Sequence, residues 1–364
     1  PYTTLFRSGW IIVAAGNPPA YNKSVREFDI VTLDRVRKIS IQADTDVWLE
    51  YAGEKGIHGA ILSYLSLKKE NFYMVENTVD GKFFVTARGW EDLSEILKSY
   101  EELQVEIGEE LIGEFLQKEE IARDFAGYYR LYEKYKSDYQ IQEILDGNVT
   151  TGQLKTCCDI GKKASFEERF TVTEMLLEAV TERISVFQKT DEKIEKLYEN
   201  LKLLKIFLQE KNRVEAMEQF VASRRKALDA KICSELLTAE EAAREEEQIR
   251  ILEEYFFQLK ELHISDVAEG IEQIGERFGN VCRLRNEKLK ETKKMLEQAF
   301  SFLEECFGEG QELLLFETGL TGDDRCSIFI SQYGCPSYFK HCELLLYSKK
   351  ENEMRKECRD LLEE

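Results

Sequence analysis

Ile194-Glu195-Lys196-Leu197-Tyr198-Glu199-Asn200-Leu201-Lys202-Leu203-Leu204-Lys205-Ile206-Phe207-Leu208 is the stretch on which the fold turns. Ile194, Leu197, Leu201, Leu204 and Leu208 advance by alternating steps of three and four, which brings one helix side back to the same partner. Val267, Ile271, Ile274, Phe278 and Val281 repeat the pattern downstream, and Glu and Lys crowd the faces between. Such two-sided segments suit long antiparallel helices or a coiled-coil hairpin. Because the two stripes lie far apart in sequence, they can pair only if the chain folds back between them. The chain reads as mainly α.

The helical pattern extends in both directions. Phe166, Phe170, Leu177, Val180, Ile184 and Phe187 recur at helical spacing upstream. Prolines stand at positions 1, 18, 19 and 336, so nothing interrupts a helix from Ala20 to Cys335. Leu313–Leu320, Arg325–Tyr333 and Pro336–Leu346 read as shorter helices with Gly and Pro at their joints, Pro336 in a first turn. Ser327–Ser331 also alternates as a strand would. Gly147 to Gly161 has three glycines and no period, and reads as a linker. Further upstream, Trp90, Leu93, Ile96 and Leu97 form one helical stripe, and Glu109–Tyr135 carries another through Phe115, Ile121, Phe125 and Tyr132.

The front of the chain differs. Ile11–Ala15 is a short continuous apolar run, as expected of a strand buried on both faces, and Arg37–Ile41 is a second β candidate. Asp46–Ala52 and Ile57–Leu67 read as helices. Phe72–Val75 and Phe83–Thr86 flank Asp80-Gly81, a turn pair that tolerates positive φ, and suggest a hairpin. Pro1–Ser8 matches the in-frame translation of the end of a common sequencing-adapter oligonucleotide, so it is set aside as library-derived.

The 364 residues give room for two or three domains. A net charge of −20, from 70 acidic and 50 basic residues, argues against nucleic acid or an anionic membrane as main partner. No apolar run approaches the roughly 18 residues of a membrane span. Nine cysteines without any C-x-x-C, and a Cys326, Cys335, His341, Cys342 group without zinc spacing, point to reduced, mostly buried thiols in a cytosolic protein and to no metal centre.

Three polar residues stand out as candidates for chemistry. Asn17 follows the first apolar strand, and ligands of open α/β sheets bind beyond the carboxyl ends of strands. Locally it is equally a turn residue ahead of Pro18. Arg35 follows Leu33-Asp34; on its own it reads as a surface residue paired to an acid. Arg88 lies in the first turn of a helix that Thr86 can cap, where the helix dipole opposes a cation by roughly 0.3–1 kcal/mol. A cation set there makes sense where an anion docks on the same helix end. Of the histidines, His263 reads as a structural residue on an apolar stripe. Glu304-Glu305 and Asp323-Asp324 read as solvated acids.

In this order, Gly16-Asn17-Pro18, Leu33-Asp34-Arg35 and Thr86-Ala87-Arg88-Gly89-Trp90 resemble the C-terminal part of a MoxR-type, dynein-related AAA+ ATPase over residues 9 to about 145. The resemblance implies that Asn17 is sensor 1 and orients the hydrolytic water. It makes Arg35 the arginine finger reaching a neighbour's nucleotide, and Arg88 the sensor 2 that binds the γ-phosphate from the lid. Ala87 departs from the family's usual Pro, a mild change because Pro is favoured but not required at a first helical position. No G-x-x-x-x-G-K-[ST] phosphate loop occurs in the sequence. The implied layout is a remnant of the α/β core over 9–45, a helical lid over 46–146, a linker over 147–164 and a long α-helical or coiled-coil extension over 165–364. The implied cofactors are ATP and Mg2+, both held through an upstream part, and the implied assembly is a homo-oligomeric ring, a hexamer. The extension resembles that of bacterial relatives associated with von Willebrand factor A-type partners. A helical scaffold without ATPase function is the competing expectation.

Overall fold

The computed structural model describes residues 13, 15, 16, 30–77 and 81–342. It is mainly helical, and the one sheet among the described residues is a two-stranded hairpin. Of the strand expected over Ile11–Ala15, Val13 and Ala15 are described, both exposed and outside regular structure; Asn17 lies outside the described residues. Helix α1 (Ile30–Arg35) is followed by irregular backbone to Asp44. The β candidate at Arg37–Ile41 is not a strand: Ile39 is 82% and Ile41 93% exposed, and no strand among the described residues pairs with it.

A compact unit begins at Asp44, whose side chain accepts from the amides of Asp46 (3.0 Å) and Val47 (3.2 Å) and so starts α2 (Thr45–Lys55). Gly56, at φ 66°, ends it in the left-handed conformation. Helix α3 (Gly59–Leu67) follows, then the hairpin β1 (Met74–Asn77) and β2 (Lys82–Val85), in antiparallel register with Met74 opposite Val85. Residues 78–80 of the expected Asp80-Gly81 turn lie outside the described residues. Thr86 then caps α4 (Ala87–Glu102), and α5 (Glu109–Phe115) and α6 (Glu119–Tyr139) complete the unit, so that the single segment expected over Glu109–Tyr135 is two helices. Trp90 is fully buried at its centre. It meets Phe125 edge-on at 5.3 Å and donates its indole N–H to the Phe72 carbonyl at 3.1 Å, the partner that a buried indole requires.

Helix α7 (Ile141–Asp146) leads into the span expected as a linker, which is mostly helix. Thr150 and Gln153 form a capping box and start α8 (Thr151–Gly161), whose Cys157 and Cys158 are buried. The glycines do not break it. Gly161 instead allows close approach, since a Cβ there would stand 2.9 Å from the Phe307 ring.

Two long helices organise the rest. α9 (Phe166–Lys211) has 46 residues and α12 (Val267–Phe307) has 41, about 70 and 60 Å at 1.5 Å per residue. Between them run α10 (Ala216–Cys233) and α11 (Ala239–Glu261); after them come α13 (Gln311–Gly322), α14 (Asp324–Tyr333) and α15 (Pro336–Cys342). Pro336 occupies a first turn, and Ser327–Ser331 is helical. The first half of α9 (Val172, Leu176, Val180, Ile184, Phe187) packs with α2–α8, the second half of α12 and α13–α15 in a first core. The second half of α9 (Leu197, Leu201, Leu204, Leu208) packs with α10, α11 and Ile274 of α12 in a second core. The two helices thus run antiparallel and belong to both cores. Both heptad stripes face the second core, where Tyr198 stacks on Phe278 at 5.7 Å.

Candidate functional site

The segment Thr86–Trp90 can be accounted for residue by residue. Thr86 Oγ1 accepts from the Gly89 amide at 3.3 Å. Gly89 lacks a Cβ for a steric reason: one would stand 2.7 Å from the Phe115 carbonyl oxygen at the end of α5. Trp90 anchors the core, and half-buried Ala87 packs against it. Arg88 alone is exposed, and it makes no hydrogen bond or ion pair with any described residue. No acid stands in the first turn of α4; Glu91 and Asp92, the acids that could offset it, follow in the next turn without a hydrogen bond or ion pair to Arg88. The fold gains nothing visible from a cation here, and the free amides of the helix end lie beside it.

Arg35 closes the short helix α1, exposed, and pairs with no carboxylate among the described residues. No hydrogen bond or ion pair joins Arg35 to Arg88. With Asn17 outside the described residues, the three sequence candidates are not brought together by any observed contact.

A second polar centre, which no sequence spacing announces, lies where α3, α4, α6 and α9 meet. The Ala60 amide donates to His58 Nδ1 at 3.1 Å, which makes Nδ1 the acceptor and leaves the ring proton on Nε2. Nε2 faces Glu101 Oε1 at 2.9 Å. The same carboxylate accepts from Tyr129 (2.8 Å) and Lys136 (3.2 Å). Burial works to raise the Glu101 carboxyl, but the His58 and Tyr129 hydrogen bonds and the Lys136 charge outweigh it and bring it down to about 2. With every partner engaged, Glu101 braces three helices together and is not a free acid or base.

Beside it lies an open groove of about 1880 Å³, lined among others by Gly59, Tyr132, Lys136 and the Glu174–Glu178–Glu182 face of α9. Burial, reinforced by the Glu178 charge one turn away, raises Glu174 to about 7. Burial also raises Glu178, whose carboxylate occupies the space that a Cβ on Gly59 would take. Tyr132 reaches it at 3.4 Å.

Other polar residues differ from their sequence reading. His263 is not on an apolar stripe: it is exposed, at φ 52°, closing α11 in the left-handed conformation. Glu304 is not merely solvated, for it pairs with buried His341 and with Lys340. Asp323 caps α14 through the Cys326 amide (2.9 Å) and pairs with Arg325. Cys157, Cys158, Cys306, Cys326 and Cys335 are free and buried, and burial pushes Cys326 and Cys335 up to about 12, far from the thiolate a nucleophile needs. Among the described residues no three His, Cys, Asp or Glu side chains form a group that could hold a metal ion, and no helix is long and apolar enough to cross a membrane.

In comparisons with protein-family models, curated proteins and solved structures, nothing matches this chain.

Proposed function

We propose that this chain supplies the nucleotide-sensing lid and a helical arm of a MoxR-like AAA+ ATPase, a machine that couples ATP hydrolysis to remodelling of a partner protein. The observation that carries the reading is Arg88. It is a cation at the amino end of α4 with no described partner, in a segment whose other residues are each accounted for by the fold. An exposed guanidinium beside free helix-end amides is suited to a phosphate oxygen. On this reading Arg88 contacts the γ-phosphate, Asn17 orients water, and exposed Arg35 reaches the nucleotide of the next subunit in a homo-oligomeric ring, a hexamer. The described residues offer no ligand set for Mg2+, and the sequence has no phosphate loop, so those groups belong to another part of the machine. The arm built on α9–α12 would carry the partner contact, with a von Willebrand factor A-type protein as the first candidate, in the cytoplasm.

The absence of a phosphate loop from this sequence favours one rival, a non-catalytic helical scaffold. Steady-state ATP hydrolysis by the full-length product of the same gene separates the two. On the ATPase reading Arg35→Ala removes most turnover, by about 10³–10⁵-fold for an arginine finger, while nucleotide binding persists. Arg88→Ala weakens nucleotide binding or turnover and leaves folding stability within about 0.5 kcal/mol, as for an exposed residue without partners. Mixing the Arg35 variant with a phosphate-loop variant restores part of the activity. A full-length product that neither binds nor hydrolyses ATP is a scaffold.

A further inference from the structure

Between the two cores the paired helices α9 and α12 cross a waist with no buried apolar residue. On α9 no fully buried apolar residue lies between Phe187 and Leu197, where Ile194 is half-buried; on α12 none lies between Ile274 and Met295, where Phe278, Val281, Cys282 and Leu289 are half-buried. Beside these half-buried side chains, the ties between the helices there include a set of polar contacts. Asp191 of α9 takes a two-pronged ion pair from Arg285 of α12, Nε to Oδ1 at 2.7 Å and Nη2 to Oδ2 at 2.8 Å. Tyr333, the last residue of α14, joins both: its hydroxyl donates to Asp191 Oδ2 at 2.8 Å and accepts from Arg285 Nη2 at 2.7 Å. The guanidinium lies over the Phe187 and Tyr333 rings, 5.6 and 5.5 Å from their centroids. The Tyr333 carbonyl accepts from Lys293 at 2.6 Å, which fixes the end of α14 to α12. On the far side of the waist, α11 contributes Gln248, whose amide donates to the Lys193 carbonyl at 3.2 Å, and Glu247, paired with Lys193 at 2.8 Å.

We propose that this waist is a hinge and that the Asp191–Arg285–Tyr333 clasp sets its resting angle. Packed cores resist deformation because each displaced side chain loses many contacts at once. A stretch of two helices with only half-buried apolar side chains, tied by polar groups that water can replace, has less such resistance, so bending concentrates there. The clasp opposes bending because a planar guanidinium fork engages a carboxylate in one orientation only, and three helices must keep their spacing for all its bonds to form. Tyr333 belongs to the first core, through Phe187 and Phe329 at 5.8 and 5.1 Å, so it references the angle of the arm to that core rather than to α9 alone. The second core would then move as one body against the first. This inference does not rest on the ATPase reading and holds equally for a scaffold.

The test is a distance measurement on the whole chain. Keto-bearing residues placed at exposed Glu95 of α4 and exposed Asp229 of α10 are coupled to nitroxides, and their separation is read by double electron–electron resonance. The unaltered clasp should give one narrow distribution. Asp191→Asn and Tyr333→Phe should each broaden or shift it, while amide exchange in 172–187 and 197–208 stays as slow as before. Arg285→Lys, which keeps the charge and loses the fork, should behave like Asp191→Asn. A distribution unchanged in all three variants overturns the proposal. So does accelerated exchange within either core, because the clasp would then be holding a core together and not an angle.

Discussion

Replacing Glu174 by Gln should stabilise the protein at pH 8 and leave it unchanged at pH 4.5. Glu174 sits half-buried on α9 beside Glu178, and its carboxyl is raised from 4.5 to about 7, first by burial and then by the Glu178 charge. In the unfolded chain it returns to the ordinary carboxyl range. Between those two values the folded state holds a proton that the unfolded state has released, so stability falls as pH rises through this window and is flat above it. Carried from 4.5 to about 7 at about 1.4 kcal/mol per tenfold change, this gives a loss of roughly 3 kcal/mol by pH 8. Gln mimics the neutral acid in shape and cannot ionise, so Glu174→Gln escapes the loss. Urea unfolding of both proteins from pH 4.5 to 8 reads the difference directly, and other titrating groups largely cancel because both proteins carry them. The gap should open from near zero to about 3 kcal/mol, most of it below pH 7. A gap independent of pH would refute the reasoning, for it would mean that Glu174 is solvated well enough to ionise normally in the fold.

Two further substitutions probe the elements around the site. Gly89→Ala should cost about 1–3 kcal/mol, the usual penalty of overpacking, because its Cβ would stand 2.7 Å from the Phe115 carbonyl; thermal unfolding checks it, and an unchanged midpoint would mean that α5 yields freely. Glu101→Gln should cost about 2 kcal/mol at neutral pH, since the Tyr129 and Lys136 bonds lose their charge assistance, and its effect should vanish as acid approaches pH 2, where the Glu101 carboxyl itself takes up a proton. Denaturant unfolding from pH 7 downward follows the loss, which begins near 4.5 and is largely complete at about 2.

Local chemistry carried the sequence reading well. Thr86 caps a helix, Pro336 opens one, and the stripes at Ile194–Leu208 and Val267–Val281 share a core after the chain folds back, because each depends on residues within a few turns. Arg37–Ile41 shows the limit: β-prone residues there form no strand, and no described strand offers them a sheet edge. The helix at Thr151–Gly161 carries its own start signal, since Thr150 and Gln153 spell a capping box, although Gly147, Gly152 and Gly161 suggest a linker. The His58–Glu101–Tyr129 centre was not legible. Its members are 28 to 71 positions apart and are joined only by the packing of α3, α4 and α6. The same holds for Asp191 and Arg285, 94 positions apart and unremarkable alone.

Because α9 leaves the first core and α12 returns to it, everything from Leu197 to Ile274 is an excursion from the chain's point of view. Bringing the first half of α9 to the second half of α12 through about 100 loose residues would cost about 4 kcal/mol in loop entropy alone. The second core removes much of that obstacle, since its own contacts join near neighbours: α10 lies against α11, and both turn back on the end of α9. Once this tip has condensed, two stiff rods emerge from it side by side and the remaining closure is short. The arm's own contacts thus span short stretches of sequence, and with the arm formed the separation across which the larger core must close is short.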